Sequence, residues 1–550
     1  MSSSNVDVLI VGAGPVGLVS ALALAQNAVS IRIVDKAGDF NIGQRGSGLM
    51  PRSLEAFKFL GIYDDYASKG SWDPFTMRIY DSEGKPVKDT DLRQGAPVTP
   101  EIPIPIPLTL GQDSNCAILR KHLKTFGVDV ELSTELVTYE QDDTGVTATL
   151  KIGEREEKVR SRFLLGTDGA KGVTRRTSSI HFEGKTEDEI KAVIGDVEVS
   201  DIHGTPNAVS IDVLHNFSDE RQNRFLLRPV HENPNTYFIF LGGPDIDNHR
   251  VIADSDYMHE HIRRISHHPE LVISKIRTIA EWRLNERIAD KFKVGRVLIA
   301  GDAAHCHSPT GGQGINSGVL DAMNLSWKLA SVVKGLSPLS LLDTYEEERM
   351  PVIREMLRMT TDLADRTFKH NDQTAFNRHF SLRQLGVHYR WSSIVVDDLR
   401  EGSLVVESTS VEPEDVYGSE TPDRLHAGDR APDAPELVNV KASGSTQLFD
   451  LLKPTHHTVL VFDPASINDV LTLVSSYPEG AVRIIDILLK GKQQEAKETL
   501  GSYVDTKGHA HRAYGSASGV QVVIIRPDGV VGGLLKSAAG IRNYFAKIFA

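Results

Sequence analysis

The chain has 550 residues, 40% hydrophobic and 25% charged, which is the balance of a soluble globular protein and excludes a disordered or collagen-like one. At a typical ~100 to 200 residues per domain, this length predicts two to four domains. Lysine plus arginine total 61 against 74 aspartate plus glutamate, a net charge of −13 with no basic block, so nucleic acid is excluded as an expected partner. The 2 cysteines, Cys116 and Cys306, build neither a disulfide framework nor a cysteine-rich metal site, and they fit a reducing, cytoplasmic setting.

In chain order, Val6 to Val11 is apolar and β-branched, too short and wrongly flanked for a signal peptide or a membrane span. It predicts a strand. Glycines then break the run, Leu18 to Ala25 predicts a helix and Ser30 to Val34 a second strand, so the opening is a βαβ unit. Such a unit implies a parallel sheet with helices packed on its faces. From Gly70 to about Gln112 the chain is irregular, with Pro103, Pro105 and Pro107 alternating with isoleucines as in an extended edge or connection. A helix is predicted over Cys116 to Phe126, hairpins over Val128 to Ile152, and a short strand over Phe163 to Leu165.

Alternating segments at Ala192 to Val199, Val209 to Leu214, Arg224 to Val230 and Thr236 to Leu241 predict an inserted antiparallel sheet. A further strand, Val294 to Ala300, leads through a glycine-rich turn into a helix from about Ile315 to Lys334, with more helix over Leu341 to Lys369. The acidic, Ser/Thr/Pro-rich stretch from Arg400 to Pro435 reads as a linker. Beyond it a second α/β pattern runs to Ala550, and no internal repeat occurs at a fixed period.

Three motifs carry chemistry. In the first, Gly12-Ala-Gly14-Pro15-Val16-Gly17 lies between strand and helix, and Asp35 ends the next strand. Two glycines let the backbone turn and approach a pyrophosphate, Gly17 lets helix and strand pack closely, and the helix N-terminus offers N–H groups; Asp35 would accept from ribose hydroxyls. The second is Gly166-Thr-Asp168-Gly169, which is also a plain tight turn by composition. The third runs Gly301-Asp302-Ala-Ala-His305-Cys-His307-Ser-Pro309-Thr-Gly311-Gly312-Gln-Gly314-Ile315-Asn316 and opens a helix. Asp302 could hold a ribityl hydroxyl, and the N–H groups around Gly314 to Asn316 could face developing negative charge. Three adjacent residues such as His305 to His307 rarely reach tetrahedral geometry, so no metal is expected. His267, His268, His456 and His457 read as solvated surface residues.

The three motifs in this order resemble the FAD-dependent aromatic hydroxylases, the class A flavoprotein monooxygenases related to p-hydroxybenzoate hydroxylase and phenol hydroxylase. The resemblance covers about Val6 to Tyr389, with further matches at Arg45, Gln112, Arg287 and the helix carrying Asp321. It implies that FAD is held by Gly12, Gly14, Pro15, Val16, Gly17, Asp35, Lys36, Arg45, Gln112, Asp168, Asp302, Gly312, Gly314, Ile315 and Asn316. It also implies that NAD(P)H, with NADPH expected, reduces the flavin, and that O2 then forms a C4a-hydroperoxide which oxygenates a phenolic or polyketide-like ring. The loop Pro309, Gly311 and Gly312 would lie near the flavin, Ser47, Arg228 and Trp282 near the substrate, and no acid or base is assigned. Gly46 and Gly48 flank the loop expected to accommodate flavin motion.

The chain departs from the family at Gly172, where serine is usual, at Cys116, where glutamate is common, and at Ser47, where phenol hydroxylases carry an aspartate. The implied architecture is α/β: a Rossmann-like FAD/NAD(P)-binding domain at 1–75, 112–182 and 285–399, an antiparallel substrate domain at 76–111 and 183–284, a linker at 400–435 and a thioredoxin-like domain at 436–550. That last segment holds no cysteine, so thiol redox chemistry is excluded there. Long-form relatives also imply a possible homodimer. Oxygen insertion of the Baeyer-Villiger type or epoxidation remains open beside hydroxylation. A halogenase or reductase and a non-catalytic FAD-binding regulator are the more distant alternatives.

Overall fold

The computed structural model describes residues 5–550 except 45, 74–75, 93–95, 201–212, 234, 309–310, 370–379, 401–412, 414, 443, 493–500 and 516–517. The Val6–Val11 strand pairs in parallel with Ile31–Val34 on one side and with Arg155–Gly166 on the other, and Val297–Ile299 continues the parallel order. Parallel strands must be covered on both faces. Val8 and Ile10 point into a core shared with Leu22, Ile118, Leu119 and Leu325 of three helices, Pro15–Gln26, Gln112–Lys124 and Gly314–Val333. Leu9 and Val11 point the other way, against Leu136, Val146, Leu150 and Val159. The expectation of helices on both faces is therefore corrected: a meander of Thr134–Asp142, Gly145–Ile152 and the first half of Arg155–Gly166 covers the second face. Its strands alternate strictly enough to supply an apolar side of their own.

Among the described residues the inserted sheet has eight strands, including Thr76–Tyr80, Leu214–Ser218, Arg224–Pro229 and Thr236–Gly242, and is built around the long pair Phe182–Ser200 and Val272–Ala289, while most of the strand expected over Val209 to Leu214 lies outside the described residues. Val272–Ala289 was not legible as a strand because most of its side chains are half-buried or exposed, which blurs the period-two signal. On one face Val193, Val197, Phe225, Leu227 and Ile239 pack against Val251, Met258 and Ile262 from helices Asn248–Ala253 and Ser255–Ser266, which sequence reasoning also missed. The opposite face looks toward the parallel domain.

The C-terminal sheet places His457–Val461, Val482–Leu489 and Gly501–Asp505 in parallel beside an antiparallel pair, Val522–Ile525 and Val531–Leu535. One of its faces is part of the main core, through Val459, Val461, Val522 and Ile524. The end of the expected linker is also buried: Ala427, Ala431 and Ala434 are enclosed, and Arg430 pairs with Glu55 at 2.6 Å. Glu348, fully enclosed, accepts from Lys328 at 2.8 Å and Arg526 at 2.7 Å, which joins two helices of the first domain to the last sheet. Among the described residues, no helix is long and apolar enough to cross a membrane.

His457 corrects the surface reading. It is 3% exposed and is ringed by Trp327, Tyr544 and Phe545 at 5.1 to 5.8 Å. Burial pushes its imidazole down to about 3, so folding favours the neutral ring. A depressed histidine contributes stability that is present above the ordinary value near 6.5 and lost as pH falls toward the folded value. Denaturant unfolding should therefore show an acid loss of about 2 kcal/mol between pH 7 and pH 5 that His457→Leu removes. An unchanged acid loss in that variant would disprove this burial as its cause.

Candidate functional site

The three motifs leave the carboxyl ends of three adjacent parallel strands, the edge at which open α/β sheets take ligands. They are stitched side by side: Gly12 N donates to Val34 O, Thr167 N to Val11 O and Ala300 N to Gly166 O. Gly12 adopts φ +102, and a Cβ there would meet Thr167 O at 2.4 Å. A Cβ on Gly17 would lie 2.0 Å from Gly12 O, so the helix starts in contact with the strand only because that position is glycine. Gly14 caps the Pro15–Gln26 helix, and a Cβ there would meet nothing within 4 Å. The open space lies where the first helical N–H groups are unpaired.

Asp35 accepts from Ala13 N at 2.8 Å and Ala37 N at 2.9 Å, which fixes its carboxylate at the wall of a cleft of about 470 Å³. Gly14, Gln112, Cys116 and Arg120 line the same cleft. Gln112, Cys116 and Arg120 stand four residues apart on one helix, and that i, i+4, i+8 spacing is the signal from which Arg120 was findable. Lys36 is exposed beside the cleft and is not among its lining residues. Burial pushes the Cys116 and Cys306 thiols up to about 12, which keeps both protonated.

In the second motif Asp168 turns inward: its Oδ2 accepts from Thr174 N at 2.9 Å and Thr174 Oγ1 at 3.0 Å. A Cβ on Gly172 would sit 2.2 Å from Asp168 Oδ1, so this carboxylate position requires glycine at 172. Asp168 Oδ1 is buried without a partner, an acceptor left for a ligand. Asp302 lies exposed on the short turn Gly301–Ala303.

The third motif closes the site from the other side. A Cβ on Gly46 would lie 3.7 Å from Gln112 Oε1 and 3.9 Å from Ile315 Cβ, so three separated segments meet there. Asn316 is fully used as a staple: its Oδ1 accepts from Met50 N at 2.7 Å, and its Nδ2 donates to Gly48 O at 2.8 Å and Gly312 O at 2.7 Å. What Asn316 leaves for a ligand is its place at the helix N-terminus. Gly312 has φ +62. His305 pairs with Asp321 at 2.7 Å, and Asp321 also accepts from Arg349 at 2.8 Å. Although burial alone would raise it, its contacts with His305 and Arg349 hold Asp321 down at about 2. His307 Nδ1 is 2.6 Å from Ser308 O, and burial lowers this ring to about 4, so it is neutral. Among the described residues no group of three His, Cys, Asp or Glu side chains is placed to hold a metal. Arg45 and Pro309 lie outside the described residues.

The face of the inserted sheet that looks toward these loops carries half-buried Ile194, Leu226, Phe238 and Phe240. Arg228 is buried at its edge, donates to Ser47 Oγ and lies 5.1 Å over the Phe238 ring. Desolvation lowers its guanidinium to about 10. Asp196, missed in the sequence, occupies the same row of the sheet and accepts from Gln44 N at 2.8 Å. Trp282 is half-buried, 5.9 Å from Phe240, while its neighbour Arg283 is exposed and paired with Glu281. The structure thus brings Ser47 and Arg228 together and leaves Trp282 several residues along the same sheet.

Glycine cradle, ribose-height carboxylate and open helix N-terminus together fit a dinucleotide, and comparison with known proteins agrees. A family model described as an FAD binding domain matches residues 5–360. The chain is 32% identical over 549 residues to a flavin-dependent monooxygenase of Mycobacteroides abscessus, covering 98% of this chain and 99% of that one. It is 27% identical over 538 residues to pentachlorophenol 4-monooxygenase of Sphingobium chlorophenolicum, covering 96% and 94%. Among solved structures, aklavinone-11 hydroxylase with FAD and aklavinone superposes with a TM-score of 0.80 over 100% of both chains at 23% identity, a likeness of fold. The chain belongs to the FAD-binding-domain family of class A flavoprotein monooxygenases and is an FAD- and NAD(P)H-dependent monooxygenase.

Proposed function

We propose that the protein hydroxylates a phenolic or polyketide-like aromatic compound. The observation that carries this reading is the half-buried apolar sheet face of Ile194, Leu226, Phe238 and Phe240, bordered by the polar pair Arg228 and Ser47. A flat, electron-rich ring with an oxygen substituent matches that face. The relatives support the class: one is named for pentachlorophenol and another, 31% identical over 366 residues, is 6-methylpretetramide 4-monooxygenase of Streptomyces rimosus.

When bound, FAD supplies the redox and oxygen-activating chemistry. The chain's residues bind and orient. Gly12, Gly14 and Gly17 with Pro15 and Val16 would admit the pyrophosphate to the first helix N-terminus, Asp35 would accept from the ribose, and Lys36 would stand beside it. Gln112 and Asp168 would border the phosphate path, and Asp302 would accept from the ribityl chain; the contact expected of Arg45 falls outside the described residues. The N–H groups at Gly314, Ile315 and Asn316, with Gly312 ahead of them, would face negative charge on the cofactor. On the substrate side, Arg228 and Ser47 hold a ring oxygen and Trp282 extends the apolar wall. In the same reading 436–550 is a thioredoxin-like module without thiols, supported by its mixed sheet of parallel and antiparallel strands.

The decisive experiment is NADPH and NADH oxidation by the purified flavoprotein against a panel of phenols and polyketide aromatics under 18-O2. A product carrying one labelled oxygen on the ring is expected; label inserted between carbons would replace hydroxylation by oxygen insertion. Two variants check the assignments. Because a side chain at Gly14 meets no protein atom, Gly14→Val should fold with an unchanged unfolding midpoint yet purify without flavin absorbance; normal FAD content would remove the pyrophosphate cradle. Arg228→Gln should raise KM for the aromatic substrate roughly tenfold, the loss of one charged hydrogen bond, with flavin content intact. Unchanged KM would take Arg228 out of the substrate site.

A further inference from the structure

One corner of the inserted sheet holds hydrogen-bond acceptors that the protein itself does not satisfy. Side chains alternate along a strand, so Asp196 shares a face with Ile194, Arg228 with Leu226 and Phe238 with Phe240, the face that looks toward the cofactor loops. Asp196 pairs with Phe238 and Phe238 with Arg228, which sets an aromatic ring between a carboxylate and a guanidinium. Asp196 is 4% exposed, and its two oxygens differ. Oδ2 accepts from Gln44 N at 2.8 Å and Thr278 Oγ1 at 3.3 Å, whereas Oδ1 is buried with no partner. Gln44 Oε1 and Glu232 Oε2 are in the same state, although Glu232 Oε1 takes Gly111 N at 2.6 Å. Arg228 donates to Ser47 Oγ and, among the described residues, bonds none of these three acceptors.

A buried carboxylate oxygen without a donor is unfavourable unless a ligand brings one. A ring hydroxyl brings it, and the cation across Phe238 suits the oxygen from which that hydrogen is drawn. Ser47, the other polar group at Arg228, is a neutral hydroxyl and no base. We propose that Asp196 is the catalytic base: its Oδ1 accepts the hydrogen of a ring hydroxyl beside Arg228 and takes the proton as oxygen is transferred, so the substrate is a phenol with that hydroxyl unblocked. The inference rests on the hydroxylase reading and deepens it. The O–H bond breaks with its electron pair left on the ring oxygen, and that pair feeds the ring carbon that is oxygenated. The proton returns from Asp196 to the same oxygen when the product regains aromaticity. Burial raises the affinity of Asp196 for a proton, with Arg228 acting against that rise and Asp113 adding to it, which brings the carboxylate closer to the range of a working base.

The test compares the flavin-loaded wild type with Asp196→Asn, whose amide oxygen can still accept from Gln44 N, with the smaller Asp196→Ser, and with Glu232→Gln. The probes are phenol, 2-naphthol and 2-hydroxyanthraquinone, each beside its methyl ether. Binding is read by quenching of flavin fluorescence, and turnover by NADPH oxidised against product labelled from 18-O2. Wild type should bind the free hydroxyl roughly tenfold or more tighter than the ether, and both Asp196 variants should lose that preference. With phenol saturating, the variants should keep the wild-type rate of flavin reduction by NADPH. Labelled product per NADPH should nevertheless fall roughly a hundredfold, with hydrogen peroxide in its place. The fall of kcat/KM on the acid side, where the base is protonated, should disappear in both Asp196 variants and persist in Glu232→Gln. Equal affinity of wild type for a phenol and its ether overturns the proposal. So does a wild-type yield and acid limb in the Asp196 variants, or loss of the limb in Glu232→Gln alone. If no phenol stimulates NADPH oxidation by wild type, the hydroxylase reading itself falls, an outcome distinct from loss of the base.

Discussion

Everything at the cofactor site depends on how closely the first helix approaches the Gly314–Val333 helix. Val16, one residue into Pro15–Gln26, is seated against Gly301 and Gly318; a Cβ on either glycine would lie 2.7 or 2.4 Å from Val16 Cγ2. Gly17 faces Gly12 O on the other side of the same turn. Glycine at these positions allows two helix N-termini, separated by some three hundred residues of chain, to open toward the same strand ends. Two positive dipole ends converging on one region form an environment for an anionic dinucleotide that neither helix provides alone.

That convergence is held by buried charge. Asp321 bonds Gly301 N, His305 and Arg349 from inside the Gly314–Val333 helix, and Glu348 gathers Lys328 and Arg526. Each group is fully enclosed, so removing one partner would leave an uncompensated charge, at a cost of about 3 to 5 kcal/mol. Such clusters do more for register than for net stability. They also make the C-terminal sheet part of the same body, since Arg526 and Arg430 reach across to Glu348 and Glu55.

The substrate side follows the opposite logic. Among the described residues Arg228 is desolvated yet bonds only a serine hydroxyl, while Asp196 Oδ2 takes the Gln44 amide and the Thr278 hydroxyl. Asp196 and Glu232 act on its charge without bonding it. Ser47 stands where a phenol hydroxylase would place aspartate. With serine there, the side-chain oxygen bonded to Arg228 is neutral, and in the proposed substrate site the arginine alone of the pair carries charge.

The sequence alone determined the strand, glycine turn and helix units, the three motifs, the inserted sheet and the FAD chemistry, because each of these is written in residues adjacent along the chain or one helical turn apart. Gly12, Gly14 and Gly17 were legible for that reason, and Asp35 by its place at the end of the next strand. What covers the parallel sheet, how Val272–Ala289 pairs, that Arg228 meets Ser47, that Arg120 lies on Phe40 and that His457 is enclosed were decided only by tertiary structure. In each case the deciding neighbour is remote in sequence. Burial and charge pairing belong to the neighbours in space, and a histidine in a polar-looking dipeptide or an arginine on a helix carries no local mark of what folding will set beside it.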